Sequence, residues 1–288
     1  MNVKLNPRKY YKAIDNCHIT GDIWKGLPTM GLLKQLKSSG LIVTPACDLA
    51  NAKVETIIYL PIISIKSFFA SRAFYYEVRS QFLNLTKERI PNINDYLLKN
   101  TLPKLDDCEV LDEMVKFSFK NEKVLLVDRV NKGLEILKII CGNGDLIPEM
   151  KIYRDFFGEK TFKNFCIGII RNSYSNDLHF LPKDQEDVEW SSIFEHSVVL
   201  FRYPITIPIE ILDLAGNFLL EDWKGAMANM QLMYPVATAF VDLKPVKTIS
   251  LNIEFLSDLL TRFCGLYMRI GSPDFTNDTI HDILNEIK

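Results

Sequence analysis

A short segment after an apolar run carries side chains that could do chemistry. Cys47 and Asp48 follow Pro45-Ala46 directly, and Lys53 comes five residues after Asp48. A cysteine nucleophile needs thiolate character supplied by a nearby histidine or cation, and a well-placed carboxylate can act as a general acid or base. Cys47 and Asp48 are therefore candidate catalytic residues, and Lys53 is a candidate binding residue.

Other groups extend this candidate site. Ser64 ends the next apolar run, and we expect its hydroxyl near Cys47 and Asp48, at the rim of a cleft formed by strand ends. His179 is a candidate base, since a Cys47–His179 pair fits within one barrel. Two further candidate binding residues are the aromatic ring of Trp24, which could stack on a base, and the guanidinium of Arg202.

The same residue types also have structural roles. Asp48 can cap the short turn that follows it, and a small cysteine such as Cys47 commonly fills buried space. Trp24 is placed where a large ring packs in a barrel core. The acidic residues between Asp106 and Glu113 could hold a metal, but carboxylates at a helix start usually face solvent. We expect no metal and no cofactor.

The candidate groups lie at the ends of predicted strands. Residues 1–64 contain short apolar runs that end in polar clusters, which is typical of a small antiparallel barrel. These runs are Gly21-Asp22-Ile23-Trp24, Leu41-Ile42-Val43-Thr44 and the stretch 56–64, with a short helix expected at 30–37. We take residues 1–64 as the first barrel strands.

The remainder of the chain alternates between helical and strand patterns. Residues 65–172 carry apolar residues at helical spacing, and Gly142 is a stop signal, so this part is predicted to be a helical insertion. Residues 173–215 return to strand character, with Pro204 and Pro208 favouring an edge strand or one that ends early. Residues 216–288 are predicted to be a helical C-terminal region, with helices over 251–269 and 276–287.

The return of strands after a long helical stretch predicts one sheet. Residues 21–64 and 177–211 should pair within it, with the intervening helices inserted. The predicted fold class is α+β: an SH3-like antiparallel β-barrel with a large helical insertion and a helical C-terminal region. In the helix over 251–269, we expect Phe255, Leu259 and Phe263 to share one buried face.

Composition sets limits on the class of protein. The chain has 288 residues, of which 48% are hydrophobic and 24% charged, as in ordinary globular proteins. A formal net charge of −2 argues against reliance on non-specific nucleic-acid contacts, but leaves room for a local basic site. None of the six cysteines forms a C-x-x-C pair. Residues 1–12 contain no apolar h-region of a signal peptide, and no uncharged apolar run is long enough to span a membrane. These features predict a cytoplasmic protein with no membrane partner.

The strand motifs together resemble the PemK/MazF family of toxin endoribonucleases, which have an SH3-like barrel. Gly21-Asp22-Ile23-Trp24 is similar to the family's opening strand, and Leu41-Ile42-Val43-Thr44 to its second. Pro61-Ile62-Ile63-Ser64 is similar to the end of the third strand, and residues 199–207 to a later strand that leads into a helix. The resemblance covers about a third of the chain.

The resemblance implies metal-independent RNA cleavage, with one departure. Such cleavage needs a base for the 2′-hydroxyl and a cation for the charge on the phosphorane. Ser64 matches the family's hydroxyl residue, whereas Ser38-Ser39-Gly40 stands where the family has a catalytic arginine. Lys53 or Arg202 would have to supply the cation.

Three functions follow as hypotheses. The first is a microbial toxin or phage-defence protein, on a PemK/MazF-like barrel, that engages RNA or another nucleic acid. The second is a non-catalytic interaction subunit of a multi-component defence complex, with the helical regions binding a protein partner. The third is a cysteine-dependent hydrolase that uses Cys47.

Overall fold

The computed structural model describes residues 10–31, 33, 38–51, 53–99, 101–142, 147–184, 193, 195–217 and 221–268. The fold is α+β, as predicted. The strands are β1 Tyr11–Lys12, β2 Asp22–Lys25, β3 Ser39–Ile42, β4 Thr56–Ser64, β5 Leu178–Leu181, β6 Ser197–Leu200, β7 Ile205–Pro208 and β8 Val246–Leu251. The helices are α1 Ala46–Ala50, α2 Ile65–Phe69, α3 Tyr75–Thr86, α4 Ile93–Tyr96, α5 Leu105–Ser118, α6 Val124–Cys141, α7 Met150–Phe157, α8 Glu159–Ile170, α9 Glu210–Gly216, α10 Trp223–Met230 and α11 Ile253–Tyr267.

The described strands form one antiparallel sheet in the shape of a half-barrel. Their order is β1-β8-β2-β3-β4-β6-β5, and β7 also pairs with β4. The two edge strands, β1 and β5, lie close together. The Tyr11 hydroxyl of β1 donates a hydrogen bond of 2.5 Å to the carbonyl of Pro182, just after β5. Both strand blocks predicted from the sequence therefore belong to the same sheet, and α2 to α8 lie between β4 and β5 in the chain.

Residues 197–208 form an interrupted strand. β6 pairs with residues 62–64 of β4, and β7 pairs with residues 56–59 of the same strand. The chain leaves the sheet between them, at residues 201–204, and β7 ends at Pro208. The expected early end at a proline is thus confirmed, and the interruption turns Arg202 and Tyr203 out of the sheet.

The C-terminal region, residues 216–288, contains a strand that the sequence pattern did not predict. β8 lies within residues 216–288 and pairs with both β1 and β2. Its sequence, Val-Lys-Thr-Ile-Ser-Leu, has β-branched residues at alternating polarity, which favours a strand. The following helix, α11, begins only at Ile253, after Asn252. Most of the helix expected at 30–37, Arg269 and the helix expected at 276–287 lie outside the described residues.

The expected buried face of α11 is only partly correct. Leu259 is fully buried, and Leu256 is buried beside it. Phe255 and Phe263 are half-buried at the margins of the same cluster, because the sheet surface beneath the helix is covered mainly by Leu256 and Leu259. Phe255 instead stacks on Tyr10, with ring centroids 3.8 Å apart.

The apolar residues at helical spacing over 68–82 do not form one continuous helix, because a buried serine interrupts it. The Ser71 hydroxyl donates to the carbonyl of Phe68 and accepts from the amide of Ala73. Such local bonds compete with helical ones, so the chain forms α2, a 3₁₀ turn at Arg72–Phe74 and then α3. By contrast, α6 is continuous and ends at Gly142, where the stop was expected.

The core divides into three apolar clusters. One lies within α2 to α8 and includes Ile63, Val198 and Leu200 of the sheet. The other two cover opposite faces of the half-barrel, since Ile57 and Tyr59 pack with α9, while Leu60 and Ile62 pack with α11. None of the helices in the described parts of the chain is both long and apolar enough to cross a membrane.

The aspartate of the Gly21-Asp22-Ile23-Trp24 segment has a structural role. Asp22 is fully buried and pairs with Lys247 of β8 at 2.7 Å. Its carboxylate also accepts hydrogen bonds from the Ser250 hydroxyl and from the amide of Ile19. A buried carboxylate requires such partners, and here they join β2 to β8 and fix the preceding loop.

Candidate functional site

The turn after β3 exposes the candidate thiol and carboxylate. Cys47 is exposed within α1, so it does not fill buried space, and its Sγ contacts Asp48 Oδ1 at 3.4 Å. Asp48 lies inside α1 and does not cap it, since the residue at the N-cap is Pro45. Lys53 is exposed, and its amide donates to the carbonyl of Asp48. The Cys47 thiol therefore contacts a carboxylate, where a nucleophile needs a base or a cation.

Ser64 lies at the other end of β4 from this turn. Ile42, at the end of β3, pairs with Tyr59, and Ser64 lies five residues further along β4. At about 3.4 Å per residue, that spacing separates the two positions by about 17 Å. The Ser64 hydroxyl caps α2 by accepting from the amide of Ser67. The structure does not bring Cys47, Asp48 and Ser64 into one cleft.

Two other candidates are buried in separate places. Trp24 is 1% exposed and packs with Leu27 and Tyr59, so its ring offers no face for stacking a base. His179 is 2% exposed beneath α11, where its Nε2 lies 3.4 Å from the Tyr10 hydroxyl. Burial lowers the pKa of His179 to about 4, against a smaller opposing effect of Asp258. Its polar contacts in the described part of the chain are with Tyr10 and Asp258, so the expected Cys47–His179 pair is not formed.

Arg202 is the predicted binding residue that does face a cavity. A cleft of about 660 Å³ opens between the sheet and the first helices of the α2–α8 region. We call it the tyrosine cleft. Its lining side chains are mostly aromatic or charged: Phe68, Arg72, Ala73, Tyr75, Tyr76, Glu77, Lys99, Leu102, Tyr174, Ser175, Asp177, Leu178, Leu200, Arg202 and Tyr203.

The sheet contributes one wall through the break between β6 and β7. Phe201 is fully buried, and its amide donates to the carbonyl of Asp177 at 2.8 Å. The next two residues, Arg202 and Tyr203, face the cleft, and Pro204 follows, which cannot donate to a sheet ladder. The interrupted strand therefore places a guanidinium and a phenol beside the loop that precedes β5.

That loop is fixed by the end of α8. Asn172 has a φ of 55°, and its side chain accepts from the amide of Phe180 at 2.6 Å. The amide of Tyr174 donates to the carbonyl of Gly168, and the backbone at Gly168 is packed so closely that a Cβ there would lie 3.2 Å from Tyr174 Cβ. The Tyr174 hydroxyl then reaches Glu77 at 3.2 Å, across the cleft wall.

The opposite wall comes from α3 and the segment after α4. Tyr75 and Arg79, one helical turn apart, donate hydrogen bonds to the carbonyls of Leu98 and Leu97. These bonds hold the segment that carries Lys99 against α3. Tyr76 is 55% exposed at the cleft, so one large aromatic surface is open to a ligand.

The charges of the tyrosine cleft favour an anion. It contains three cationic side chains and two carboxylates, whereas the whole chain has a formal net charge of −2. Asp177 pairs with Arg202 and Ser175, and Glu77 accepts from Tyr174. Within the described part of the chain, the side chains of Arg72 and Lys99 make no hydrogen bond or ion pair.

Three of the cleft tyrosines, Tyr75, Tyr174 and Tyr203, remain neutral hydrogen-bond donors at physiological pH. Burial raises the pKa of Tyr203, although Arg72 and, more weakly, Arg202 oppose the shift. Burial, together with Glu77, raises the pKa of Tyr174 well above its usual value, and burial raises that of Tyr75 to about 12. Both arginines line the cleft together with Tyr203.

This arrangement is suited to binding more than to acid–base catalysis. The lining residues include no histidine or cysteine, and both carboxylates have partners. Among the described residues, no group of three or more His, Cys, Asp or Glu side chains is arranged to hold a metal. The acidic start of α5 is used otherwise, since Asp107 accepts from the amide of Lys104 and Asp112 pairs with Lys138.

Sequence patterns gave little indication of the cleft. Arg202 was a candidate because a cation was needed in place of the arginine that Ser38-Ser39-Gly40 lacks, but Tyr76, Lys99 and Tyr174 belong to no motif. The available signal was local: Arg202-Tyr203-Pro204 ends one strand, and Tyr75-Tyr76 begins a helix. No family model, curated protein or solved structure matches this chain, so its function has to be inferred from the tyrosine cleft itself.

Proposed function

We propose that the protein binds single-stranded nucleic acid, and RNA in particular, in the tyrosine cleft. The observation that carries this proposal is the combination of an exposed aromatic ring, Tyr76, with two cations, Arg72 and Lys99, that have no ion-pair partner among the described residues. Single-strand binding proteins use such positively charged grooves with aromatic side chains on which bases stack. A duplex would not expose its base faces to Tyr76, so a single strand suits the cleft better.

The proposal includes a biological setting. The protein is a cytoplasmic component of a toxin–antitoxin or phage-defence system, on an SH3-like barrel of the PemK/MazF type with a helical insertion. Support comes from the strand motifs of residues 21–64 and from the antiparallel half-barrel that they enter. The six cysteines are all free thiols, which supports a reducing compartment. Arg202 contributes a positive charge to nucleic-acid binding, and its ion pair with Asp177 holds it at the cleft.

The test is a binding titration against salt. A labelled single-stranded RNA of about twelve nucleotides is titrated with protein, and fluorescence anisotropy gives the affinity at several salt concentrations. The variant Arg72→Gln/Lys99→Gln removes two phosphate contacts, so the slope of log K against log salt should become shallower by about 1.4. We expect its affinity to fall at least tenfold at the lowest salt concentration.

A matched control removes the same charge elsewhere. Lys53→Gln/Lys160→Gln changes two exposed lysines outside the cleft, one of them in the turn that contains Cys47. Its net charge equals that of the cleft variant, so a general electrostatic effect would weaken both equally. Equal losses in the two variants, or a larger loss in the control, would exclude the tyrosine cleft as the binding site.

A second function is favoured by a separate observation. Phe117, Val124 and Leu125 are each more than 80% exposed, at the connection between α5 and α6. Apolar side chains that protrude in this way are typical of surfaces that contact other proteins. A folded protein that fails to bind any single strand in the titration would leave a protein-interaction subunit as the stronger proposal.

A further inference from the structure

Two cysteines from neighbouring helices meet behind the tyrosine cleft. Cys108 lies on α5, and Cys141 is the last residue of α6. The two helices run antiparallel through the short connection at 119–123, and Lys138 pairs with Asp112 across them at 2.6 Å. Cys108 is four residues before Asp112 and Cys141 is three after Lys138, so the cysteines occupy the next position along the same interface.

The two thiols lie in the same packed region. Cys108 belongs to the apolar cluster of the α2–α8 region, and Cys141 packs against that cluster. The Cys141 side chain lowers the pKa of Cys108, against the opposing effect of burial, and the Lys138 ammonium contributes in the same direction. Cys108 is fully buried, whereas Cys141 is half-buried and can be reached from solvent.

We propose that Cys108 and Cys141 form a redox-active pair, oxidised to an intramolecular disulfide by a low-molecular-weight disulfide such as oxidised glutathione. The Cys141 thiolate attacks one sulfur of that disulfide and releases one glutathione thiolate. The Cys108 thiolate then displaces the second glutathione from the sulfur of Cys141. Both cysteines are oxidised, one disulfide is reduced to two thiols, and the two protons from the cysteines end on the released glutathione.

The pair is connected to the tyrosine cleft through Tyr75. Tyr75 and Cys108 belong to the same apolar cluster, against which Cys141 packs, and both thiols contribute to the raised pKa of Tyr75 after the larger effect of burial. The Tyr75 hydroxyl donates to the carbonyl of Leu98 at 3.3 Å, next to Lys99. A disulfide has an S–S length of about 2.05 Å, much shorter than a contact between thiols, so oxidation draws α5 and α6 together at this point.

The consequence for the cleft depends on the proposed function. Movement of Cys108 and Cys141 toward each other changes the packing under Tyr75, and with it the support of the segment that carries Lys99. We expect the oxidised protein to bind single-stranded RNA at least threefold more weakly than the reduced protein. The disulfide itself and its effect on the backbone do not require RNA binding, and they can be measured without it.

The first experiment maps the disulfide. The folded protein is incubated with oxidised glutathione, remaining thiols are alkylated, and peptides are identified by mass spectrometry. We expect a Cys108–Cys141 linked peptide that dithiothreitol reverses, while the exposed Cys17 and Cys264 carry only glutathione. A Cys141 that stays a thiol, or that keeps glutathione while Cys108 remains reduced, would overturn the proposal.

Two variants test the order of the steps. In Cys108→Ala, Cys141 should accumulate as a stable glutathione adduct, because the resolving thiol is missing. In Cys141→Ser, the buried Cys108 should stay reduced. If Cys108→Ala does not fold, the half-buried Cys141→Ser variant remains as the test. Modification of Cys108 in that variant would contradict an attack that begins at Cys141.

The second experiment measures the connection to the cleft. Amide hydrogen exchange of the reduced and oxidised proteins is compared at residues 72–78 and 97–99. We expect exchange there to change by at least threefold on oxidation and to remain unchanged in Cys141→Ser. A disulfide that forms without any change in these segments would overturn regulation of the cleft. Loss of RNA binding in both redox states would count only against the proposed function.

Discussion

The turn after β3 and the tyrosine cleft both carry hydroxyl, thiol or charged side chains, but they differ in how these are held. In the turn, Cys47 and Asp48 contact each other, and the Asn51 side chain donates to the carbonyl of Cys47 within the same short segment. In the cleft, Asp177 holds Arg202, and Glu77 holds Tyr174 from almost a hundred residues away. One region consists of neighbours in sequence, and the other is an assembly of distant segments.

The difference indicates where a binding site can be maintained. Local bonds within a five-residue helix leave the Cys47 and Asp48 side chains largely in water, where charges interact weakly. The cleft walls are attached to the sheet and to α3, so Tyr174 and Arg202 are held in place without a ligand. Preorganised groups of this kind lose less entropy on binding.

The largest expected difference between the regions concerns binding. Tyr76→Ala removes the exposed aromatic surface of the cleft, and we expect it to weaken single-stranded RNA binding by about 2 kcal/mol, or about 30-fold. Its thermal stability should stay close to that of the wild type, since the ring is 55% exposed. Cys47→Ala is the matched change in the turn and should leave the affinity unchanged. If anisotropy shows a larger loss of RNA affinity for Cys47→Ala than for Tyr76→Ala, the turn after β3 becomes the stronger candidate site.

The next difference concerns stability. Asp177→Asn removes a carboxylate that accepts hydrogen bonds from Ser175 and Arg202, and it should lower the free energy of unfolding by about 1 kcal/mol. Asp48→Asn keeps the shape of the side chain in an exposed helix, and its effect should stay within about 0.5 kcal/mol. Urea denaturation of the three proteins measures both values. If Asp48→Asn lowers the free energy of unfolding as much as Asp177→Asn does, the expected difference in stability between the turn and the cleft is wrong.

The smallest effect is a difference in acid sensitivity. Burial acts to raise the pKa of Asp177, but the hydrogen bonds from Ser175 and Arg202 outweigh it, so the pKa is lowered. A lowered pKa in the folded state stabilises the protein above the unfolded value of about 3.9, and this contribution is lost as the pH falls through the folded pKa. The difference in unfolding free energy between wild type and Asp177→Asn should therefore shrink below about pH 4.

Thermal unfolding of both proteins between pH 3 and pH 7 measures this change. Asp48→Asn is the control, because it removes an acidic side chain that lies outside the cleft. A difference between wild type and Asp177→Asn that stays constant over the whole range would show that the Asp177 carboxylate does not gain its stability from charge.

Several local elements can be predicted from neighbouring residues alone. Apolar spacing identified α6, and Gly142 ended it, because a helix buries every third or fourth residue wherever it packs. The apolar run at residues 56–64, which ends at Ser64, identified β4, and the return of strands after residue 172 predicted the shared sheet. These features depend on residues close together in the chain.

The burial and the spatial grouping of the candidate residues depend on the tertiary structure. The separation of Ser64 from Cys47 follows from the antiparallel register of β3 and β4, which no residue type encodes alone. Trp24 and His179 have types that suit a site, but burial depends on which elements cover them. The tyrosine cleft arises where α3 and the segment after α4 meet the sheet, and Cys108 and Cys141 come together where α5 packs on α6. Side chains from such distant segments converge only after the chain has packed its core, so a pattern along the sequence cannot show them.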